Sequence, residues 1–141
     1  MIADHEVPQP DEVTEGWWAA TRQRRLVLQY CGDCGRNQHP PRAVCTACGS
    51  TAGLGWRDAA GTGTVDSCTV VELAPSPNFE PPYVVARVRL GEGPVVLTNV
   101  VDSDPYDVRI GDAVSLRWRE LPDGRALPVF RPASEESKPR E

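Results

Sequence analysis

From residue 61 onward, apolar and polar residues alternate in short runs, and this period of two is typical of half-buried β-strands. In the clearest run, residues 83–90, the small apolar side chains share one face while Arg87 and Arg89 lie on the other. Turns rich in Pro, Gly and Asp separate the runs. The predicted strands are residues 64–73, 83–90, 95–101, 114–119 and 126–130.

Five short strands without a long helical period favour a small closed barrel, because closure removes exposed strand edges. A five-stranded OB-fold barrel fits the number of strands and the length of this part of the chain, and we place it at residues 58–132. A six-stranded barrel or a small sandwich is the alternative.

One short helix is predicted near the N-terminus, at residues 11–23. Asp11 or Thr14 could cap it, acidic residues lie in its first turn and arginines lie near its end. Trp17 and Trp18 are neighbours in sequence, so their side chains point about 100° apart on a helix. One of them can therefore face a core and the other a partner, with packing of both on the protein's own body as the alternative.

Four of the five cysteines form two Cys-x-x-Cys pairs, Cys31 with Cys34 and Cys45 with Cys48. Two residues between thiolates allow one tight turn to present both sulfurs to a metal ion, and the Gly that follows each pair can adopt a positive φ. Two such turns complete a closed shell of four sulfurs, which predicts one structural Zn²⁺ per chain in a rubredoxin-like zinc ribbon. Iron in the same shell and two disulfides are the alternatives. Strand-like segments flank this block at residues 25–30 and 54–57.

Charge is distributed unevenly along the chain. The formal net charge of all 141 residues is −5, yet residues 16–57 contain six Arg and one acidic residue. Zn²⁺ with four thiolates removes about two of these positive charges and leaves the segment about +3. The acidic barrel segment argues against a nucleic-acid groove, so a nucleic-acid-binding zinc-ribbon/OB module is the alternative function rather than the leading one.

Groups for catalysis are scarce in the sequence. The two histidines, His5 and His39, leave no Ser-His-Asp or Cys-His arrangement, and no phosphate-binding glycine loop is present. Cys68 lies within a predicted strand without an activating base, so we expect a small buried residue there. The sequence therefore predicts a chain without catalytic residues.

The predicted organisation is mainly β. A helix and zinc ribbon occupy residues 11–57, the OB-fold barrel follows at 58–132, and disordered tails are expected at 1–10 and 133–141. No apolar run approaches the roughly 18 residues that cross a membrane, and the N-terminus lacks the basic and apolar parts of a signal peptide. We therefore expect a cytoplasmic protein without a membrane partner.

Several short motifs follow one another along the chain. They are Trp17-Trp18, the run from Leu26 to Gly35, Pro40-Pro41-Arg42, Trp56, Gly61-x-Gly-Thr-Val, Pro82-Tyr-Val-Val-Ala and Ile110-Gly-Asp-x-Val. This ordered set resembles the acyl-CoA-associated zinc-ribbon/OB-fold family known as domain of unknown function 35. The resemblance covers the chain from about Asp11 to Pro132.

The resemblance implies a non-catalytic accessory subunit. Its partner would be a thiolase-fold enzyme, such as a lipid-transfer-protein-type aldolase or an acyltransferase, that acts on acyl-CoA, with steroid side-chain degradation as one setting. Some relatives are fused to a hotdog-fold enoyl-CoA hydratase, which is a second expected partner. The chain would stabilise its partner and help shape the acyl-CoA site, while the chemistry stays in the partner.

Two groups of residues in the basic segment are candidate contacts. Trp17 and Trp18 are expected to anchor the partner, because Trp and Arg are enriched at protein interfaces. A cluster of arginines is expected to contact acyl-CoA phosphates or the partner, since guanidinium groups bind phosphate well. A solvated helix face is the alternative for these arginines. They are Arg22, Arg24, Arg25 and Arg36.

Overall fold

The computed structural model describes residues 7–133, so the predicted tails at 1–10 and 133–141 lie largely outside the described residues. Within them, one α-helix and eight strands are present. The elements are α1 (Glu15–Arg22), β1 (Val27–Cys31), β2 (Asn37–Gln38), β3 (Leu54–Asp58), β4 (Thr62–Val71), β5 (Tyr83–Leu90), β6 (Val95–Val100), a 3₁₀ turn (Pro105–Asp107), β7 (Ala113–Glu120) and β8 (Ala126–Pro132).

Helix α1 is shorter than the predicted helix at residues 11–23. The Asp11 carboxylate accepts hydrogen bonds from the backbone N–H groups of Val13 and Thr14 at 3.0 and 2.8 Å, which closes a separate turn before the helix. These bonds lower the pKa of Asp11, and Thr14 is the N-cap without a capping bond from its side chain. At the other end, Arg24 has a φ of 55°, a left-handed conformation that does not continue the helix.

A three-stranded antiparallel sheet forms the first β-structure, with β1 between β2 and β3. We call residues 27–58 the ribbon. In this sheet Gln29 is opposite Gln38 on one side and Trp56 on the other. The strands predicted at residues 25–30 and 54–57 are confirmed as β1 and β3. Strand β2 was not predicted, because its two residues are too few to show an alternating pattern.

The second β-structure is a closed barrel in the order β4-β5-β6-β8-β7, and we call residues 62–132 the barrel. The prediction of a five-stranded OB-fold barrel is confirmed. Four of its five neighbouring strand pairs are antiparallel, while β6 and β8 are parallel and in register at only one pair, Val100 with Phe130. The alternation predicted for β5 is present, since every second side chain from Val84 to Leu90 is buried.

Ribbon, helix and barrel share one hydrophobic core. Trp17 and Ala20 of α1 and Leu28 of β1 pack in the same cluster as Val96 and Phe130 of the barrel. The connection between ribbon and barrel therefore cannot act as a free linker. No helix within residues 7–133 is long and apolar enough to cross a membrane.

Candidate metal centre and its surroundings

The four cysteines of the two Cys-x-x-Cys pairs converge on one point. Their Sγ atoms all lie within 4.8 Å of one another, and both the Cys31–Cys48 and the Cys34–Cys45 Sγ pairs are 3.6 Å apart. Four sulfurs placed about 2.3 Å from one ion at the corners of a tetrahedron are about 3.8 Å apart. The geometry therefore fits one Zn²⁺, while a disulfide needs sulfurs only about 2 Å apart.

The two turns that carry the cysteines are built alike. The backbone N–H of Gly35 donates to the Cys31 carbonyl at 2.8 Å, and that of Gly49 donates to the Cys45 carbonyl at 2.9 Å. Both glycines have positive φ angles, 81° and 80°, which side chains rarely adopt. The repeated turn explains the Gly that follows each pair in the sequence.

A bound cation is needed for all four thiols to be thiolates at the same time, because their negative charges repel one another. Backbone N–H groups, first that of Cys48 and then that of Ala47, lower the pKa of Cys45 to about 6. The Ser50 backbone N–H favours the Cys48 thiolate, yet partial desolvation and the three neighbouring sulfurs together raise the pKa of Cys48 to about 12. Four thiolates around Zn²⁺ would leave no position open for a water or substrate molecule, so this centre is structural.

A glutamine network, in which Gln29 is buried and Gln38 half-buried, holds the loop between the two turns. The side-chain oxygen of Gln29 accepts hydrogen bonds from the Arg42 backbone N–H at 2.8 Å and from the Gln38 side chain at 2.6 Å. Its side-chain nitrogen donates to the Arg42 carbonyl, and Gln38 in turn accepts from the Thr46 backbone N–H at 3.0 Å. Sequence reasoning missed the role of both glutamines, although Gln29 lies within the run from Leu26 to Gly35, because the network exists only once β1 and β2 pair.

The two tryptophans have different environments. Trp17 is 8% exposed and belongs to the core, and its ring contacts that of Trp18 edge-on with centroids 4.7 Å apart. Trp18 is half-buried beneath the guanidinium of Arg125, which lies 4.7 Å from its ring centroid. Contact with a partner stays a prediction for both residues, and Trp18 has the larger surface for it.

Three of the four candidate arginines have partners within the chain. These interactions connect α1 and its C-terminal end to the barrel and to β3, yet the ion pairs are partly exposed and such pairs contribute little to stability. Arg36 has no hydrogen bond or ion pair with its side chain among residues 7–133. Contact with acyl-CoA or with a partner remains a prediction. The partners are the Asp123 backbone oxygen for Arg22 (2.6 Å), Glu120 for Arg24 and Asp58 for Arg25 (2.6 Å).

His39 and Cys68 are not part of the metal centre. Burial lowers the pKa of His39 to about 4, and its Nδ1 atom has no hydrogen-bond partner within residues 7–133. Its ring lies beside Trp17, with centroids 6.0 Å apart. Cys68 is half-buried against the core, and its Sγ lies 3.9 Å from the Val108 carbonyl oxygen.

Comparison with known proteins identifies both β-structures. The family model of the ChsH2 rubredoxin-like zinc ribbon domain matches residues 18–52, and that of the ChsH2 C-terminal OB-fold domain matches residues 56–119. A chain of a solved structure described as an Ltp2-ChsH2(DUF35) aldolase has a TM-score of 0.83 and 44% identity to this one. The similarity covers 89% of this chain and 98% of that chain.

Two curated proteins are also similar in sequence. The probable enoyl-CoA hydratase alpha subunit of Thermomonospora curvata is 47% identical over 119 residues, which are 83% of this chain but only 36% of that protein. A DUF35 domain-containing scaffold protein of Methanothermobacter thermautotrophicus is 32% identical over 112 residues, or 78% of this chain and 84% of that protein. With its ribbon, its closed barrel and these relatives, the chain belongs to the DUF35 family of ChsH2-type zinc-ribbon and OB-fold proteins.

Proposed function

We propose that this chain is a non-catalytic scaffold subunit that binds a thiolase-fold aldolase or acyltransferase acting on acyl-CoA, with steroid-derived acyl-CoA as the substrate class. It would stabilise that enzyme and help shape its acyl-CoA site. The observation that carries the proposal is the similarity to nearly the whole ChsH2(DUF35) chain of a solved complex with Ltp2.

The chemistry of the described residues supports a role without catalysis. The metal centre is a closed set of four sulfurs, and such a set holds a fold together rather than activating water. Within residues 7–133 the one histidine, His39, is half-buried, and its low pKa keeps it neutral at physiological pH. Acid–base chemistry on acyl-CoA is therefore assigned to the partner.

The connection between ribbon and barrel supports a scaffold role. The Leu26 carbonyl accepts a hydrogen bond from the Ala59 N–H at 2.8 Å where β3 leaves the ribbon, and Arg25 pairs with Asp58 close by. These two contacts close the base of the ribbon, while the shared core and a hydrogen bond from the Asn37 side chain to the Glu92 carbonyl at 3.4 Å hold the ribbon against the barrel before a partner binds. A preformed surface reduces the entropy lost on association, which favours tight binding.

A hotdog-fold enoyl-CoA hydratase is the second partner that we propose. Support comes from the Thermomonospora curvata relative, whose name includes enoyl-CoA hydratase and which is almost three times as long as the matched segment. An aldolase and a hydratase that share one scaffold could act in succession on the same acyl-CoA chain.

Co-expression tests the aldolase proposal directly. The chain is produced with the Ltp2-type enzyme of the same organism, and that enzyme is also produced alone. We expect a complex that co-elutes in gel filtration, and we expect the enzyme to lose solubility or activity without the scaffold. An enzyme that is soluble and fully active alone, with no complex formed, contradicts the proposal. A salt-dependent shift of a single-stranded oligonucleotide at micromolar protein would instead favour the nucleic-acid module.

A further inference from the structure

A charged cavity lies on the exposed side of α1, beside the turn between β7 and β8. It measures about 630 Å³, and six of its ten lining residues are charged. Small-molecule sites are mainly apolar, so a cavity with this lining is better suited to a polar segment of another protein. The six charged residues are Asp11, Glu12, Glu15, Arg22, Asp123 and Arg125.

Helix α1 forms one wall of this cavity. Glu15, Trp18 and Arg22 are three and four positions apart, so they lie on one face of the helix. Ala19, on the same face, is exposed and also lines the cavity, whereas Trp17 belongs to the core. The half-buried Trp18 is therefore the one aromatic residue of the cavity lining.

The two arginines of the cavity have partners within the chain. Arg22 donates to the Asp123 backbone carbonyl at 2.6 Å, and the Nε of Arg125 donates to the Asp123 carboxylate at 2.7 Å. The Arg125 side chain is only 4% exposed, with its guanidinium above the Trp18 ring. Its Nη1 atom nevertheless has no acceptor within residues 7–133. One buried donor of the cavity is therefore unpaired.

Two carboxylates of the cavity lack a cation. The side chains of Glu12 and Glu15 are exposed and form no hydrogen bond or ion pair within residues 7–133. Asp11 instead accepts from backbone N–H groups of its own turn, and Asp123 pairs with Arg125. The four carboxylates and two guanidinium groups give the lining a formal charge of −2.

These groups together determine the kind of occupant. A metal ion would pair with the free carboxylates but would bring no acceptor to Arg125. A phosphate group would accept from Arg125, but the net negative charge of the lining repels it. A peptide segment with a lysine or arginine supplies both, since its side chain is a cation and its main-chain carbonyls are acceptors. Trp18 adds the large contact area that Trp provides at protein interfaces.

We propose that the exposed face of α1 and the turn between β7 and β8 bind a basic segment of the thiolase-fold partner. A lysine or arginine of that segment pairs with Glu12 and Glu15, and one of its main-chain carbonyls accepts from Arg125. Trp18 then anchors the partner, and Arg22 belongs to a protein interface rather than to a phosphate site. This inference rests on the proposed function, because the partner enzyme provides the segment.

Two double variants test the role of the carboxylates. Glu12→Gln with Glu15→Gln removes two negative charges from the cavity and preserves the size of both side chains. Glu80→Gln with Asp107→Asn removes two exposed negative charges elsewhere on the barrel, since neither residue lines the cavity. The two variants have the same net charge, so a difference in binding between them arises from the position of the charges. Circular dichroism verifies that both fold.

Binding of each variant to the Ltp2-type enzyme of the same organism is measured by biolayer interferometry at several salt concentrations. The Glu12 and Glu15 variant should bind about 5- to 10-fold more weakly, mainly through slower association, and its association rate should depend less on salt. The control variant should bind nearly as the wild type does. If the two double variants bind equally, the inference fails while the proposed function survives. If the wild-type chain does not bind, both fail.

Photo-cross-linking in the assembled complex gives a second readout that removes no charge. The photoreactive residue p-benzoylphenylalanine is introduced at Ala19, which is exposed and lines the cavity. Irradiation should join this position to a peptide of the partner enzyme that contains lysine or arginine, and mass spectrometry identifies that peptide. A cross-link to a peptide without a basic residue, or no cross-link in a complex that still forms, would overturn the inference.

Discussion

The ribbon and the barrel are ordered by different forces. Between β1 and β3, across residues 32–53, Cys45 is the one buried residue, and most of the other side chains are exposed. The barrel instead buries a contiguous set of aliphatic side chains around Phe130, which is 0% exposed. A segment with so little apolar burial needs another source of stability, and in the ribbon the four cysteines and their metal ion supply it.

Loss of one metal ligand should give the largest effect on folding. It should disorder the ribbon while the barrel stays folded. Cys31→Ser removes one of four sulfurs, so Zn²⁺ content should fall from one per chain to near zero. Zinc binding contributes roughly 10–16 kcal/mol in small zinc-dependent domains, far more than the ribbon can replace. Elemental analysis and amide NMR should show loss of ordered signals from residues 32–53, with barrel signals retained. Cys68→Ser is the control and should keep its zinc. A zinc-free ribbon with native signals would show that the ribbon does not depend on its metal ion for order.

A cavity in the barrel core should give the second largest effect. Phe130→Ala should lower the free energy of unfolding by about 3–5 kcal/mol, because the ring is fully buried. Chemical denaturation monitored by circular dichroism measures this change. Phe79→Ala, at a half-exposed loop position, should cost much less. If the two variants have equal stability, the barrel does not depend on its apolar core as we describe.

Acid should weaken the junction of the two regions through His39. Burial lowers its pKa from about 6.5 to about 4. At a pH between these two values, His39 is protonated in the unfolded chain and neutral in the folded chain. Stability is therefore complete above pH 6.5 and falls as the pH drops toward 4. Between pH 7 and pH 5 the loss due to this group is about 2 kcal/mol.

His39→Phe is the matched variant for this measurement, because it fills similar space without a titrating group. The pH dependence of its unfolding free energy should be shallower than that of the wild type by the same amount. This difference excludes the effect of acid on zinc binding, which both chains share. Equal pH profiles for the two chains would show that His39 is not held neutral by the fold.

The smallest effect should come from the surface ion pair at the base of the ribbon, where Arg25 lies just before β1 and Asp58 ends β3. Arg25→Ala removes the pair with Asp58, both of whose side chains are at least half-exposed, so the stability should change by less than about 1 kcal/mol. If Arg25 contacts the partner or acyl-CoA as predicted, binding to the enzyme should weaken more than folding does. Calorimetry of unfolding together with a binding titration distinguishes these outcomes.

The parts of this molecule that depend on local sequence could be predicted, and the parts that depend on packing could not. The Cys-x-x-Cys spacing and the alternation in β5 are local patterns, so they indicated the metal site and the barrel correctly. The helix begins later than predicted because Asp11 caps a turn of its own. The hydrogen bonds of Gln29 to Gln38 and Arg42 form only when β1 pairs with β2 and the loop at Arg42 folds over them, so the local sequence does not indicate them.

We propose above that this chain works as a scaffold bound to a thiolase-fold enzyme. The most direct measurement is the mass of the species formed when the chain and the Ltp2-type enzyme of the same organism are co-expressed, determined by light scattering after gel filtration. We expect one stable complex that contains both chains and one zinc ion for each copy of this chain. Separate elution of the two proteins, with the enzyme active alone, would contradict it.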